Sequence, residues 1–192
     1  MSNLTEKKIS SEKIFTGRLI NLYLDKVELP NGNFSTREWV DHPGAVCVVP
    51  ILPSGEIGLI KQYRYGPRQE FIEIPAGKLD KEELPENCAN RELAEEIGYK
   101  AKKLTLLTKI HPAIGFSNEV MWLFLGEQLV KTKRKLDHDE FLDLSIHVSR
   151  EIIKNNRFIT IISDYNSEES DDEKNSDNDE ENSDNKQDLK EE

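Results

Sequence analysis

Only two cysteines, Cys47 and Cys88, stand among the 192 residues. Two do not make the disulfide framework of a small secreted domain. Cys47 lies in the apolar run AVCVV and Cys88 on the apolar side of a helical pattern. Both read as small core residues, and a bond between them stays open on paper. No apolar run approaches the roughly 18 residues that span a bilayer, and the opening MSNLTEKKIS has no apolar leader core. No membrane contact is expected, and the cytosol is the expected compartment. A basic excess is missing too. The formal net charge is −11, and it is unevenly placed. Residues 163–192 carry fourteen acids and three bases. Taking these from the totals of 37 and 26 leaves 23 of each sign in the rest of the chain. A neutral body gives no electrostatic footprint for nucleic acid.

The length suffices for one domain with a proper core and some extra chain. Strand patterns dominate the first half. Lys13 to Leu29 alternates well enough for one or two strands with a bend at Gly17, and Pro30-Asn31-Gly32-Asn33 is a turn before a strand at Phe34 to Asp41. Arg37 and Glu38 sit in that strand, where cross-strand surface charge is the ordinary role for them. After His42-Pro43-Gly44, Ala45 to Leu52 is a continuous apolar run, hence a buried strand. Pro53-Ser54-Gly55 turns the chain into Glu56 to Arg64, expected as its hairpin partner. Arg64 ends that strand as an ordinary surface arginine or as an oxygen clamp for phosphate. Phe71 to Ile74 is a short strand interrupted by Glu73. Strands are also expected at Lys103 to Thr108, Val120 to Leu125 and Phe141 to Val148, with a loop at His111 to Glu119. His111 lacks a His or Cys partner at metal spacing and reads as structural. Leu129 to Leu136 is basic and irregular. Ser149 suits the N-cap of a helix over residues 150–155, and Ile159 to Ile162 forms a last apolar patch. The tail has almost nothing to bury and is expected to be disordered.

The densest chemistry lies in Gly77 to Tyr99, GKLDKEELPENCANRELAEEIGY. Its start reads as a loop. From Glu83 the pattern turns helical, with Leu84, Cys88, Leu93 and Ile97 recurring, Pro85 in the first turn and Gly98 at the stop. Glu92 and Glu96 are four apart, so they share a face with Glu95 beside them. Like charges at that spacing destabilise a bare helix by a few tenths of a kcal/mol. A cation between them would reverse the sign. Hard cations such as Mg²⁺ take carboxylate oxygens together with substrate phosphate oxygens. The ordinary alternative is a solvated acidic face.

The longer string resembles the Nudix box. Gly77, Glu83, Arg91, Glu92, Leu93, Glu95, Glu96 and Gly98 meet its pattern without a gap, and Tyr99 fills the last apolar place. Such a match arises by chance on the order of once in 10⁹ start positions. The segments IFTGRLINLYLDKVELPNG, REWVDHPGAV, KQYRYGP, EIPAGKLD and IGFSNE are similar to the ADP-ribose pyrophosphatase (ADP-sugar) branch of that family. The resemblance as a whole extends over roughly residues 12–162.

Strand and helix pattern alone points to a mixed sheet with helices packed on it, an α+β or α/β sandwich. The resemblance implies the Nudix α/β/α sandwich, preceded by a small antiparallel sheet. The expected domains are residues 1–42 for that sheet, 43–162 for the hydrolase domain and 163–192 for the tail. The resemblance further implies a homodimer exchanging its N-terminal sheets, so that Arg37 and Glu38 reach the nucleobase from the partner chain. Arg64 would lie near the pyrophosphate and ribose, and Lys78, Gly115 and Glu119 would line the rest of the cleft. Metal ligands carry over as the Ala76 carbonyl, Glu92, Glu96 and Glu140, with Glu95 supporting and Mg²⁺ (or Mn²⁺) as the cation. The implied reaction is hydrolysis of ADP-ribose to AMP and ribose 5-phosphate, with Arg91 structural against Glu83.

Two positions depart from the branch. Ile114 precedes Gly115 where proline is usual, which leaves other nucleoside diphosphate sugars, GDP-mannose among them, open. His138 stands two before Glu140 where the branch often has an acid, so the base is His138, Asp137, Asp139 or Glu140. A non-catalytic nucleotide-binding regulator on the same scaffold is the alternative of another class. The tail is either an inert solubilising extension or a docking segment for a basic partner.

Overall fold

The structure, a computed structural model, describes residues 4–136 and 142–148, the last six as backbone alone. Strands β1 (Lys7–Thr16), β2 (Asn21–Glu28) and β3 (Phe34–Asp41) form an antiparallel sheet in that order. Gly17 donates to the Ile20 carbonyl at the first turn (2.9 Å). Gly32 takes a φ of 83° at the second, the left-handed conformation that glycine adopts without a Cβ clash. From Asn21 opposite Asp41 to Glu28 opposite Phe34 the β2–β3 register is unbroken. Tyr23 and Trp39 face each other in it and stack, with ring centroids 4.8 Å apart.

The second sheet has the order β7-β4-β9-β8, from β4 (Ala45–Pro50), β7 (Ala76–Lys78), β8 (Tyr99–Ile110) and β9 (Met121–Lys131). β4 and β9 run parallel and the other pairs antiparallel. A third sheet, β10-β5-β6, comprises β5 (Ile57–Arg64), β6 (Gln69–Glu73) and β10 (Leu142–Val148). Helix α1 (Pro85–Glu92) continues into one π-helical turn, Leu93–Ile97. Gly98 closes that turn in the left-handed region, with φ 71°. Val46 and Val48 from β4, Ile60 from β5, Phe124 from β9 and Cys88, Ala89, Leu93 and Ile97 from the helix make one core. The apolar face of the helix thus meets residues of the second and third sheets. The outcome is a mixed α+β fold with an N-terminal three-stranded antiparallel sheet.

Several local expectations change. β5 is not the hairpin partner of β4: one bridge, Ile51 to Ile57, forms before the chain crosses into the third sheet. The turn residues reverse the chain, and burial of Ile57 and Leu59 in a second cluster then draws β5 away. Gly77 and Lys78, expected to open a loop, instead pair with β4, together with Ala76, as strand β7. Leu84 lies at the helix N-cap and is exposed, outside the apolar stripe. β8 and β9 are longer than their apolar cores, because cross-strand pairing carries the Lys-rich ends along. Cys47 and Cys88 are separately buried free thiols. Among the described residues no helix is long and apolar enough to cross a membrane. The helix expected at 150–155, the patch at 159–162 and the acidic tail lie outside the described residues.

Candidate active site

β7 and the helix build the site between them. The Ala76 amide donates to Glu96 Oε2 at 3.0 Å. A Cβ on Gly77 would stand 1.8 Å from Glu92 Oε1 and 1.9 Å from its carboxyl carbon. That strand position is therefore glycine because the Glu92 carboxylate occupies the side-chain space. Glu92 is 6% exposed and Glu96 2%. The effective penalty of burying an ion is several kcal/mol before compensation. Each receives part of it: Glu92 accepts from Arg91 Nη1 at 2.7 Å, and Glu96 from the Ala76 amide. The π turn begins right after Glu92, and single π turns within helices recur at functional sites.

Arg91 ties the cradle to the loop before the helix. Its Nε and Nη2 bond both oxygens of Glu83, at 3.0 and 2.9 Å. Nη1 also reaches Glu95 (3.0 Å), and Nη2 the Lys78 carbonyl (3.0 Å). Glu83 in turn accepts from the Asp80 amide. The guanidinium holds the Glu83 carboxyl down at about 2, from an ordinary value of 4.5. Burial pushes the Cys88 thiol up to about 12 and Cys47 to about 11. The structural role expected for Arg91 is what this geometry gives it.

Two outcomes follow from that network. Arg91→Ala removes the cation that Glu83, Glu92 and Glu95 share and should cost about 2–4 kcal/mol in a urea titration, since breaking an internal ion pair leaves charge less compensated. The Glu83 contribution should be complete above pH 4.5 and fade as pH falls towards about 2, because its folded value is the lower one. The stability gap between wild type and Glu83→Gln should therefore narrow on acidification, measured as urea midpoints across that range.

The remaining candidates lie as follows. Arg64 is bidentate to Glu73 across the β5–β6 pair, at 2.8 and 2.7 Å. Arg37 pairs with Glu6 beside the first sheet, and Glu38 lies opposite Leu24 in β2. Lys78 offers its carbonyl to Arg91. Gly115 is exposed in the loop before β9. The Glu119 carbonyl accepts from His111 Nδ1 at 2.9 Å, which makes His111 structural as expected. Its carboxylate lies 3.7 Å from His42 Nδ1. That nitrogen accepts from the Gly44 amide at 3.1 Å, so we read it as the unprotonated one and the approach to Glu119 as no ion pair. Glu140, with Asp137, His138 and Asp139, lies outside the described residues.

Three contributors have roles that a reading of the sequence does not supply. Gly77 shapes the cradle, and only the box pattern marks it. Glu73 orients Arg64; its signal was an acid between the apolar residues of FIEI. Asn118 is the third. Its side chain accepts from the His42 amide and donates to Asp41, both at 2.8 Å, fastening the loop to the end of β3. Nothing in the loop sequence announces that pairing.

The donor set fits a hard divalent cation. Glu92 and Glu96 offer carboxylate oxygens from one face, in a cradle kept open by Gly77 and with the β7 backbone alongside. Among the described residues no three His, Cys, Asp or Glu side chains gather as a complete metal cluster. A further ligand would have to come from backbone or from residues beyond those described.

The NUDIX domain family matches residues 41–182, most of the chain. The chain belongs to the NUDIX family. Members of this family typically use divalent metal ions, consistent with the oxygen donors of the cradle. Residues 6–40 of this NUDIX chain match the nucleoside diphosphate sugar hydrolase N-terminal domain. The chain is 49% identical over 146 residues to an ADP-ribose pyrophosphatase of Bacillus subtilis (strain 168), covering 75% of this chain and 79% of the relative. It is 45% identical over 141 residues to a methanol dehydrogenase activator of Bacillus methanolicus, covering 72% and 76%. Among solved structures, an ADP compounds hydrolase superposes with a TM-score of 0.69 at 21% identity, over 90% of this chain and 99% of the other. That likeness is one of fold.

Proposed function

We infer that this NUDIX hydrolase is an ADP-ribose pyrophosphatase, splitting the pyrophosphate bond of ADP-ribose with water to give AMP and ribose 5-phosphate. The observation that carries the chemistry is the pair of buried carboxylates, Glu92 and Glu96, folded against Gly77. The substrate rests on the Bacillus subtilis relative and on the sugar-nucleotide match of the first sheet. In this reading Glu92, Glu96, Glu140 and the Ala76 carbonyl hold Mg²⁺, and Glu95 supports them. A bound divalent cation supplies charge neutralisation at the pyrophosphate and acidifies water. Proton abstraction falls to the 137–140 segment, through His138, Asp139 or Glu140. Arg64, preset by Glu73, pairs with phosphate oxygens, and Lys78, Gly115 and Glu119 line the rest of the cleft. Arg37 and Glu38 meet the nucleobase of a partner copy through exchanged N-terminal sheets, in a cytosolic homodimer.

Purified protein with Mg²⁺ should hydrolyse ADP-ribose, releasing AMP, faster than it hydrolyses ADP-glucose to AMP or GDP-mannose to GMP. A panel in which GDP-mannose wins would move the substrate and keep the enzyme. No turnover of any sugar nucleotide would remove the reading.

A regulatory role is the second reading, and the Bacillus methanolicus relative, named for activating another enzyme, favours it. Tight nucleotide binding by calorimetry, with hydrolysis unaltered in Glu96→Gln, would support it instead.

A further inference from the structure

The balanced charge of the body hides a concentration of cations. Residues 99–103 and 131–135 hold seven Lys or Arg and no acid among ten positions. They come from the paired ends of β8 and β9 and the segment that follows. The Thr132 amide donates to the Gly98 carbonyl at 2.8 Å and fastens that segment along the end of the helix. Between segment and helix runs a groove of about 450 Å³, with Lys100, Lys133 and Lys135 facing Asn90, Arg91 and Glu95. The N–H groups of Arg91 are engaged by Glu83, Glu92, Glu95 and the Lys78 carbonyl. The three lysines are exposed, and none makes an ion pair among the described residues. An anion entering the groove would meet ammonium groups.

The chain carries its own polyanion. We propose that the acidic segment 163–192 lies in this lysine groove of its own chain. Charge complementarity is the first argument: the segment has fourteen acids against three bases, and Lys100, Lys133 and Lys135 outnumber the one acid, Glu95, in the groove lining. Reach is the second. Arg134 Nη2 bonds the Leu142 carbonyl at 3.1 Å, which sets the start of β10 near the groove. Val148 is six residues further, about 20 Å of strand. The connector 149–162 can extend to about 50 Å, so the segment reaches back. Tethering is the third, because a linked partner acts at an effective concentration of about mM. A separate polyanion at lower concentration competes poorly. This inference does not depend on the hydrolase reading, since no catalytic candidate except the supporting Glu95 lines the groove.

The test uses the full chain with a nitroxide placed through Ser183→Cys. Cys47 and Cys88 are buried with raised thiol values, so labelling favours the introduced site. Paramagnetic relaxation is read at the backbone amides. At an ionic strength of about 0.01 M, where the Debye length is about 30 Å, the amides of Ala94, Glu95, Lys100 and Thr132 should lose most of their intensity. At about 1 M, with the length near 3 Å, they should recover it. Recovery at low salt is also expected in Lys100→Glu/Lys133→Glu/Lys135→Glu. A second variant, Glu168→Gln/Glu169→Gln/Asp171→Asn/Asp172→Asn/Glu173→Gln, weakens the same contact and alters no described residue. Intensity loss spread evenly over the surface, or unmoved by both variants, overturns the proposal. So does loss confined to mixtures of labelled and isotope-enriched chains, which would put a second copy's tail in the groove.

Discussion

Glu96→Gln should lower Mg²⁺-dependent hydrolysis by at least about 10²-fold, since even residues one shell removed from a metal cost 10–100-fold when altered. The substitution is nearly isosteric, and its amide oxygen can still accept from the Ala76 N–H. What it removes is a buried charge four residues from Glu92. In metal-free buffer the variant should therefore melt at the same temperature as wild type or higher, because a like-charge pair has been relieved. Loss of turnover with stability kept or gained separates a site built for a cation from a carboxylate serving the fold. Parallel loss of activity and stability would mean that Glu96 is structural.

Gly77→Ala should damage turnover and stability together. The added methyl would overlap the Glu92 carboxylate, at 1.8 Å from Oε1. Backbone on both sides limits relief, since β7 pairs with β4 and the Ala76 amide holds Glu96. Either the carboxylate swings away or β7 lifts from the sheet. Overpacking of this kind costs about 1–3 kcal/mol, and turnover should fall at least as far as in Glu96→Gln. The readouts are the urea midpoint and the initial rate with ADP-ribose. A variant close to wild type in both would show that the glycine is incidental and that Glu92 lies elsewhere in solution.

Much of this site was legible in the residues because its signals are local. The spacing of Glu92 and Glu96, Pro85 at the start and Gly98 at the stop describe a helix without any tertiary information. Arg91 could be paired with Glu83 once the box was recognised, and the bidentate bond is there. Signals that depend on distant chain were not legible. The sequence cannot show that β4 will supply a pairing edge, so Gly77 and Lys78 read as the start of a loop. Glu56 to Arg64 carries a good hairpin pattern, yet burial of Ile57 and Leu59 assigns it to another sheet. The π turn is equally silent, since LAEEI suits an ordinary helix. The Asn118 bonds to His42 and Asp41 join residues more than seventy positions apart.

The central claim, that the buried Glu92 and Glu96 carboxylates form a seat for a divalent cation, is tested most directly by binding without turnover. Mn²⁺ titrated into the protein, with free ion followed by its electron paramagnetic resonance signal, reads the seat with no substrate present. Wild type should remove Mn²⁺ from solution with saturable stoichiometry, Mg²⁺ should displace it, and Glu92→Gln/Glu96→Gln should leave the free signal undiminished. Equal binding by wild type and the double variant would contradict the account.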